Sequence, residues 1–349
     1  MGSTLYTTRA MNVLITGGCG FIGSNLVQYL RRARPDWTLV NLDKLTYAGN
    51  LENFQALEGD PRHVFVRGDV ANRELVEHVM AQHRIDAVMH LAAESHVDRS
   101  ILGPEAFVIA NVLGTQQLLE ASRARGVQRF LMVSTDEVYG SLGPTGHFTE
   151  ASPLQPSSPY SASKTSADLL ALAWHHTFGL DVVVTRCSNN YGRYQFPEKL
   201  IPLMVVNALR DKPLPVYGDG GNVRDWLHVE DHCAALLVAL EKGRAGQVYN
   251  IGGNSERKNI DIVRSILGLL GKPESLIQYV KDRPGHDRRY AIDATKSRTE
   301  LGWTPARTFE EGLQETVRWY VEHPAWWERV MSGAYRQYYD TQYRARLGG

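Results

Sequence analysis

Asn12-Val-Leu-Ile-Thr16 runs directly into Gly17-Gly-Cys-Gly20-Phe-Ile-Gly23, and helical spacing of Phe21, Ile22, Leu26, Tyr29 and Leu30 begins before that turn has ended. A buried strand, a G-x-x-G-x-x-G turn and a helix, in that order, open a dinucleotide-binding α/β unit. Gly17 permits the sharp exit from the strand. Gly20 lets backbone N–H groups reach a pyrophosphate with no Cβ in the way, and Gly23 lets the helix pack closely. The helix N-terminus adds donors and positive dipole to the phosphates. Glycine turns are common, so it is the flanking strand and helix that give this one weight.

About twenty residues beyond the last glycine, Asp43 ends a second strand over 38–42. A carboxylate there accepts hydrogen bonds from both ribose hydroxyls and repels a 2′-phosphate, which favours NAD over NADP; the adjacent Lys44 works against that preference. Asp69 follows a third strand over 63–66 and is expected at the adenine amino group, with capping of a helix as its plainer alternative. Helices over 71–83, 106–125 and 158–178 then alternate with strands over 87–91, 129–133 and 181–185. Such alternation predicts a doubly wound, Rossmann-type parallel sheet in an α/β fold, with ligands at the carboxyl ends of the strands. The second half has more Pro, Tyr and Trp and longer loops, and no Gly/Ser linker precedes it. The expected division is a cofactor domain over 11–190 carrying the catalytic residues, and a smaller interdigitated lobe over 191–349 that mainly binds substrate, with a cleft between them.

Composition narrows the function classes. Lys plus Arg equals Asp plus Glu at 38 each, which argues against a globally basic nucleic-acid binder. Cys19, Cys187 and Cys233 are too scattered for a disulfide framework or zinc ribbon and suit a reducing cytoplasm. No apolar run approaches a bilayer span, and the polar residues 1–10 read as an extension without a signal-peptide core. His228 and His232 stand at i and i+4, but Val229 occupies the place a zinc protease gives to Glu, so no metal is expected and the pair reads as helix-start packing. The aromatics from Trp326 to Tyr343 read as packing of the C-terminal lobe.

Chemistry concentrates in two places. Tyr160 and Lys164 lie four apart on one helix face. A phenol of ordinary pKa, about 10, becomes a useful base only beside cations such as a lysine and an oxidised nicotinamide ring. Thr135, Asp136 and Glu137 emerge at the end of the fifth strand. Adjacent carboxyls in unlike environments can supply the acid and the base of an elimination.

These motifs resemble the extended short-chain dehydrogenase/reductases. Within them, Leu91-Ala-Ala-Glu-Ser-His-Val-Asp-Arg-Ser100, Ser134-Thr-Asp-Glu-Val-Tyr-Gly140, Asn190-Tyr-Gly, Gln195-Phe-Pro-Glu-Lys-Leu-Ile-Pro202 and Arg224-Asp-Trp are similar to the dTDP-glucose 4,6-dehydratases, over most of the chain. The resemblance implies that Tyr160, with Lys164 and Thr135, takes the C4 hydroxyl proton of the glucose while hydride passes to NAD. Glu137 then removes the C5 proton and Asp136 protonates the departing C6 hydroxyl. It further implies cofactor contacts at Gly17, Gly20, Phe21, Ile22, Gly23, Asp43, Lys44, Leu45, Thr46, Asp69 and Val70, and at Leu91, Ala92, Ala93, Ser95, Tyr160, Lys164 and Asn190. Substrate contacts are implied at Ser95, Thr135, Asn189, Glu198, Lys199 and Leu200 near the sugar and nucleotide, at Arg224 on the diphosphate, and at Pro215, Tyr217, Asn259, Arg283 and His286 around the nucleotide. A cytoplasmic homodimer, paired through the helices over 106–125 and 158–178, is implied as well. Two residues depart from the pattern: Arg193 stands where proline is expected, and Ala110 where a hydroxyl residue is usual. Related epimerases and decarboxylases are the nearer alternative, and Asp136 argues against them. A non-catalytic NAD-binding sensor is the remoter one, and the intact Tyr160–Lys164 pair argues against it.

Overall fold

A computed structural model describes residues 10–282 and 285–332. The extension read over residues 1–10 (all but Ala10), Arg283 and the aromatics beyond residue 332 lie outside the described residues.

The first half alternates as its periodicity predicts. In chain order it comprises β1 (Asn12–Thr16), α1 (Phe21–Ala33), β2 (Thr38–Asp43), β3 (His63–Arg67), α2 (Arg73–Gln82), β4 (Ala87–His90), α3 (Val97–Leu102), α4 (Glu105–Phe107), α5 (Gly114–Arg125), β5 (Arg129–Thr135), α6 (Pro159–Phe178) and β6 (Val182–Cys187). After β7 (Asn189–Tyr191) come α7 (Leu200–Leu209), β8 (Leu214–Tyr217), β9 (Val223–His228), α8 (Val229–Lys242), β10 (Gln247–Ile251), β11 (Glu256–Lys258), α9 (Asn259–Leu270), β12 (Ile277–Val280), α10 (Phe309–Glu322) and α11 (Pro324–Val330).

Seven strands form one parallel sheet in the order β3-β2-β1-β4-β5-β6-β10. Alternate residues of each strand serve opposite layers, as the pleat requires. Val13, Ile15, Met89, Leu131 and Val183 pack with Leu26, Leu30, Leu236 and Leu240 of α1 and α8. Leu14, Val88, Phe130 and Val184 pack with Val76, Val79, Leu118 and Ala167 of α2, α5 and α6. A separate core joins α7, α9, α10 and α11 through Leu203, Val206, Ile262, Ile266, Leu313 and Trp326. Strand order reverses between β1 and β4, so the crevice for a ligand opens at the carboxyl ends there.

Two departures from the expected boundaries bear on the site. Strand β5 continues to Thr135 because Ser134 and Thr135 pair with Arg186 and Cys187 of β6. The helix expected over 106–125 is not uniform: Val108–Leu113 is wound as a π-helix between α4 and α5. Within that segment Asn111 accepts from the Glu94 backbone N–H at 2.9 Å and donates to its carbonyl at 3.0 Å and to Ser163 Oγ at 2.8 Å. The wider turn thus fastens the chain after β4 to α6, a local use typical of π-bulges. His228 caps the start of α8 and His232 binds Asn190 Oδ1 at 2.8 Å, as helix-start packing predicts.

Candidate active site

One cleft runs along the carboxyl ends of β1, β2, β4, β5 and β6. Its cofactor half is built by the glycine turn. Gly17 has φ +70° and a Cβ there would stand 2.6 Å from Ala92 Cα; a Cβ at Gly23 would collide with the Gly17 carbonyl oxygen. At Gly20 a Cβ would meet no atom closer than the Gly17 oxygen at 3.5 Å, so the space beside it belongs to the cleft. This is a cradle shaped for a pyrophosphate rather than a tight turn alone. Asp43 is aimed by two backbone donors, Cys19 N–H to Oδ2 and Leu45 N–H to Oδ1, each at 2.8 Å. Burial raises its carboxyl, and those two donors pull the other way. Lys44 does not confront a ribose substituent: its Nζ pairs with Asp69 Oδ2 at 2.6 Å. Asp69 Oδ1 also accepts from Ala71 N–H at 2.9 Å, so its turn-capping role is made while the residue still borders the cleft. The true N-cap of α2 is Asn72.

Of the residues expected around a dinucleotide, Gly17, Gly20, Phe21, Ile22, Gly23, Asp43, Lys44, Thr46, Asp69 and Val70 line the cleft, as do Leu91, Ala92, Ala93, Ser95, Tyr160, Lys164 and Asn190. Leu45 does not; it turns at φ +56° and leans on the core beneath the sheet. Ala110, the residue lacking the usual hydroxyl, sits on the wall.

The reactive half gathers Thr135, Asp136, Glu137, Tyr160 and Lys164. Helix α6 starts at a capping box of Ser158 with Ser161, which fixes the first turn and hence Tyr160. Deeper in the same helix, Asp168 and Arg186 of β6 form a buried ion pair at 2.8 Å, and Arg186 also donates to Tyr139 Oη at 2.9 Å. Tyr139 in turn donates to Asn250 of β10 at 2.7 Å. That network registers α6 against the sheet. Lys164 Nζ donates to the Val133 carbonyl at 2.9 Å rather than reaching the phenol as a hydrogen-bond partner. Burial, then the Glu137 carboxylate, pushes the Tyr160 phenol well above its ordinary value, with the Thr135 hydroxyl bond working the other way. Asp136 is 1 % exposed, and its Oδ2 takes no hydrogen bond among the described residues. Burial, then the neighbouring Glu137 and Asp225 carboxyls, raises it well above the usual carboxylate range, which favours its protonated form.

The expected substrate residues divide. Ser95, Thr135, Asn189, Glu198 and Lys199 line this cleft. Leu200 instead begins α7 and packs on the C-terminal core. Pro215 lies in β8, and Tyr217, at its end, donates to Asp98 Oδ2 at 3.1 Å and meets the His286 ring edge-on. His286 pairs with Asp282 at 2.6 Å. Asn259 begins α9 with a buried Oδ1 that takes no bond among the described residues. The Arg224 guanidinium is buried, donating to the Asp287 and Val223 carbonyls, 4.3 Å from the Tyr290 ring. Arg193 turns toward the cofactor helix: Nε donates to Asn25 Oδ1 at 2.9 Å and a terminal nitrogen to Glu230 at 2.8 Å. Sequence reasoning assigned no role to Tyr47, Glu94, Gln195 and Phe196, all on the cleft wall, although the last three stand inside the motifs that carry the resemblance.

Comparison with known proteins agrees with this geometry. A profile of the GDP-mannose 4,6 dehydratase family matches residues 14–316. A dTDP-glucose 4,6-dehydratase of Xanthomonas campestris pv. campestris is 56% identical over 341 residues, covering 93% of this chain and 97% of that protein. The crystal structure of a dTDP-glucose 4,6-dehydratase from Bacillus anthracis in complex with NAD has a TM-score of 0.87 at 53% identity, covering 92% of this chain and 100% of that one. A UDP-glucose 4-epimerase from Thermotoga maritima shares the backbone, with a TM-score of 0.84 over 89% of this chain and 99% of its own, at only 31% identity. With its buried Asp136 beside Glu137 and its higher identity to the dehydratases than to that epimerase, the chain belongs to the dTDP-glucose 4,6-dehydratase family of extended short-chain dehydrogenases/reductases.

Proposed function

We infer that the protein dehydrates dTDP-glucose to dTDP-4-keto-6-deoxyglucose with NAD held in the cleft. The observation that carries this reading is the pair of adjacent carboxyls following β5, one of them fully buried, beside Tyr160 in one cleft. Bound NAD supplies the acceptor for the C4 hydride and the source of the hydride delivered to C6, so no external redox partner is needed. Tyr160 takes the C4 hydroxyl proton, with Thr135 orienting that oxygen. Because burial and Glu137 oppose a phenolate, Tyr160 becomes a base only when positive charge stands against it, which Lys164 and an oxidised nicotinamide provide. Glu137 removes the C5 proton once the C4 ketone acidifies it. Asp136 gives its proton to the C6 oxygen, which leaves as water. Glu137 later returns a proton to C5 and ends as it began. The proton gained by Tyr160 balances the one lost by Asp136.

Ser95 and Asn189 are assigned to the sugar side of the cleft, and Glu198, Lys199, Leu200, Pro215, Tyr217, Arg224, Asn259 and His286 to the segments around the nucleotide. Thymidine as the base follows the names of the relatives. The residues over 11–190 are read as the cofactor unit and those over 191–349 as mainly the sugar-nucleotide lobe. We read the protein as a cytoplasmic homodimer. The apolar side chains Leu102, Val108, Ile109, Leu113 and Leu169, exposed on α3, the π segment and α6, support self-association, and three buried unpaired cysteines suit a reducing compartment. No helix of the described residues is long and apolar enough to cross a membrane.

The test is incubation with dTDP-glucose and NAD, followed by mass spectrometry. A sugar nucleotide lighter by one water and carrying a keto group is expected. An unchanged sugar, or an isomer of equal mass, would refute the assignment.

A further inference from the structure

Three chain segments meet at the cleft in a cluster that takes no part in the proton and hydride transfers. Tyr47 sits in the loop after β2, which is fastened beneath by the Cys19 N–H to Asp43 Oδ2 bond and by Asn50 N–H to the Cys19 carbonyl at 2.9 Å. From that loop Tyr47 Oη donates to Glu198 Oε1 at 2.8 Å. Arg99 of α3 donates from Nε to Glu198 Oε2 at 3.1 Å, and its guanidinium carbon lies 3.8 Å from the Tyr47 ring centroid. Phe196 closes the other side of that ring edge-on, with centroids 5.3 Å apart. The Glu198 side chain is 2 % exposed, and each of its oxygens already accepts a protein donor.

Tyr47 and Glu198 both line the cleft that holds Asp43 at one end and Tyr160 at the other. They approach it from opposite sides, one from the ribose-binding loop and one from the segment before α7. We propose that Tyr47, Glu198 and Arg99 form a clasp across the cofactor cleft, which must open for a dinucleotide to pass in or out. Every bond of the clasp joins protein groups, and its ionic hydrogen bond ends on a buried carboxylate, with Arg99 a quarter exposed. This rests on the reading of the cleft as an NAD site. An enzyme whose redox change closes on itself never has to release its dinucleotide, and a clasp that slows exchange suits that chemistry. Glu198 is thereby redirected from a substrate contact to a positioning residue.

A gate differs from an ordinary binding contact in what it does to rates. Weakening a contact speeds release alone, whereas weakening a gate speeds both release and uptake and leaves affinity nearly unchanged. The test loads wild type, Y47F, E198Q, E198A and the Y47F/E198Q double variant with radiolabelled NAD and follows label loss into excess unlabelled NAD, with uptake measured by stopped-flow quenching of intrinsic fluorescence. Y47F and E198Q are expected to release and take up NAD about ten- to a hundredfold faster, with Kd within about threefold of wild type. E198A should exceed E198Q, because the amide still accepts from Tyr47. The double variant should fall short of the product of the singles, because both act on one clasp. Release within twofold of wild type in both single variants overturns the proposal, as does faster release with unchanged uptake. If Y47F does not fold, E198Q alone decides between the same outcomes. These measurements need no sugar nucleotide, so failure of the clasp is distinct from failure of the dehydratase reading.

Discussion

Replacing Asp136 by Asn should raise the stability of the protein, and should do so more as pH rises. Asp136 is fully enclosed, one of its oxygens lacks a partner among the described residues, and burial with two neighbouring carboxyls raises its pKa well above 3.8. In the unfolded chain an aspartate loses its proton near pH 3.9. Between that pH and the raised folded value, the native state therefore holds one proton more than the unfolded state. Stability then falls with pH by about 1.4 kcal/mol per unit. Asn carries no titrating proton, so the variant lacks this slope. Above the unfolded pKa the gap between variant and wild type should therefore widen with pH until the buried carboxyl itself titrates. Unfolding entropy of about 2.1 cal/mol/K per residue over 349 residues converts each pH unit of that window to roughly 2 °C in Tm. Thermal melts of both cofactor-stripped proteins at pH 5, 6 and 7 supply the measurement. The same substitution should lower the rate of water loss from dTDP-glucose about 10²- to 10⁴-fold, since the C6 oxygen loses its proton donor. A Tm gap that stays flat with pH would show Asp136 to be ionised in the fold, and the division of labour between Asp136 and Glu137 would fail with it.

Two further substitutions probe the scaffold. Gly23→Ala should abolish NAD retention in protein that still folds, because its Cβ would strike the Gly17 carbonyl and push α1 off the glycine turn; equilibrium dialysis with NAD checks this, and normal retention would contradict the close-packing role. Asp168→Ala strands the Arg186 guanidinium in a buried site and should cost about 3–5 kcal/mol, read as a Tm drop with a loss of activity as Tyr160 moves; a change of less than about 1 kcal/mol would mean that Arg186 finds other partners.

Local signals made the cofactor half legible. The roles of Gly17 and Gly23 follow from strand, turn and helix being contiguous, and Tyr160 with Lys164 follows from a helix whose Ser158 cap and apolar spacing are both visible. What the sequence hides is side-chain direction and long-range pairing. Lys44 could be read as a phosphate partner until Asp69, on the next strand's loop, was seen to take it. Arg224 stands in an Arg-Asp-Trp motif that does not show its donation to the main-chain carbonyls of Asp287 and Val223. The π-helix over Val108–Leu113 has the same apolar spacing as an α-helix, and only the Asn111 bonds to Glu94 reveal why the turn widens. The clasp joins residues 47, 99 and 198, which no periodicity connects.

Strand β10 carries a consequence for how the chain comes off the ribosome. The sheet's last strand is Gln247–Ile251, paired with Val182–Cys187, and between the two in sequence lie β7, α7, β8, β9 and α8. Until β10 emerges, β6 is a bare edge whose residues are apolar through Val184, and the face of the sheet that α8 covers stands open. Bare apolar edges template the wrong partners. Synthesis of residues 189–242 is thus interposed between two halves of one hydrogen-bonded ladder. A nascent chain stalled near residue 190 would hold a complete glycine turn and a complete Tyr160–Lys164 helix on an unfinished sheet, and would depend on holding chaperones until residue 251 arrives.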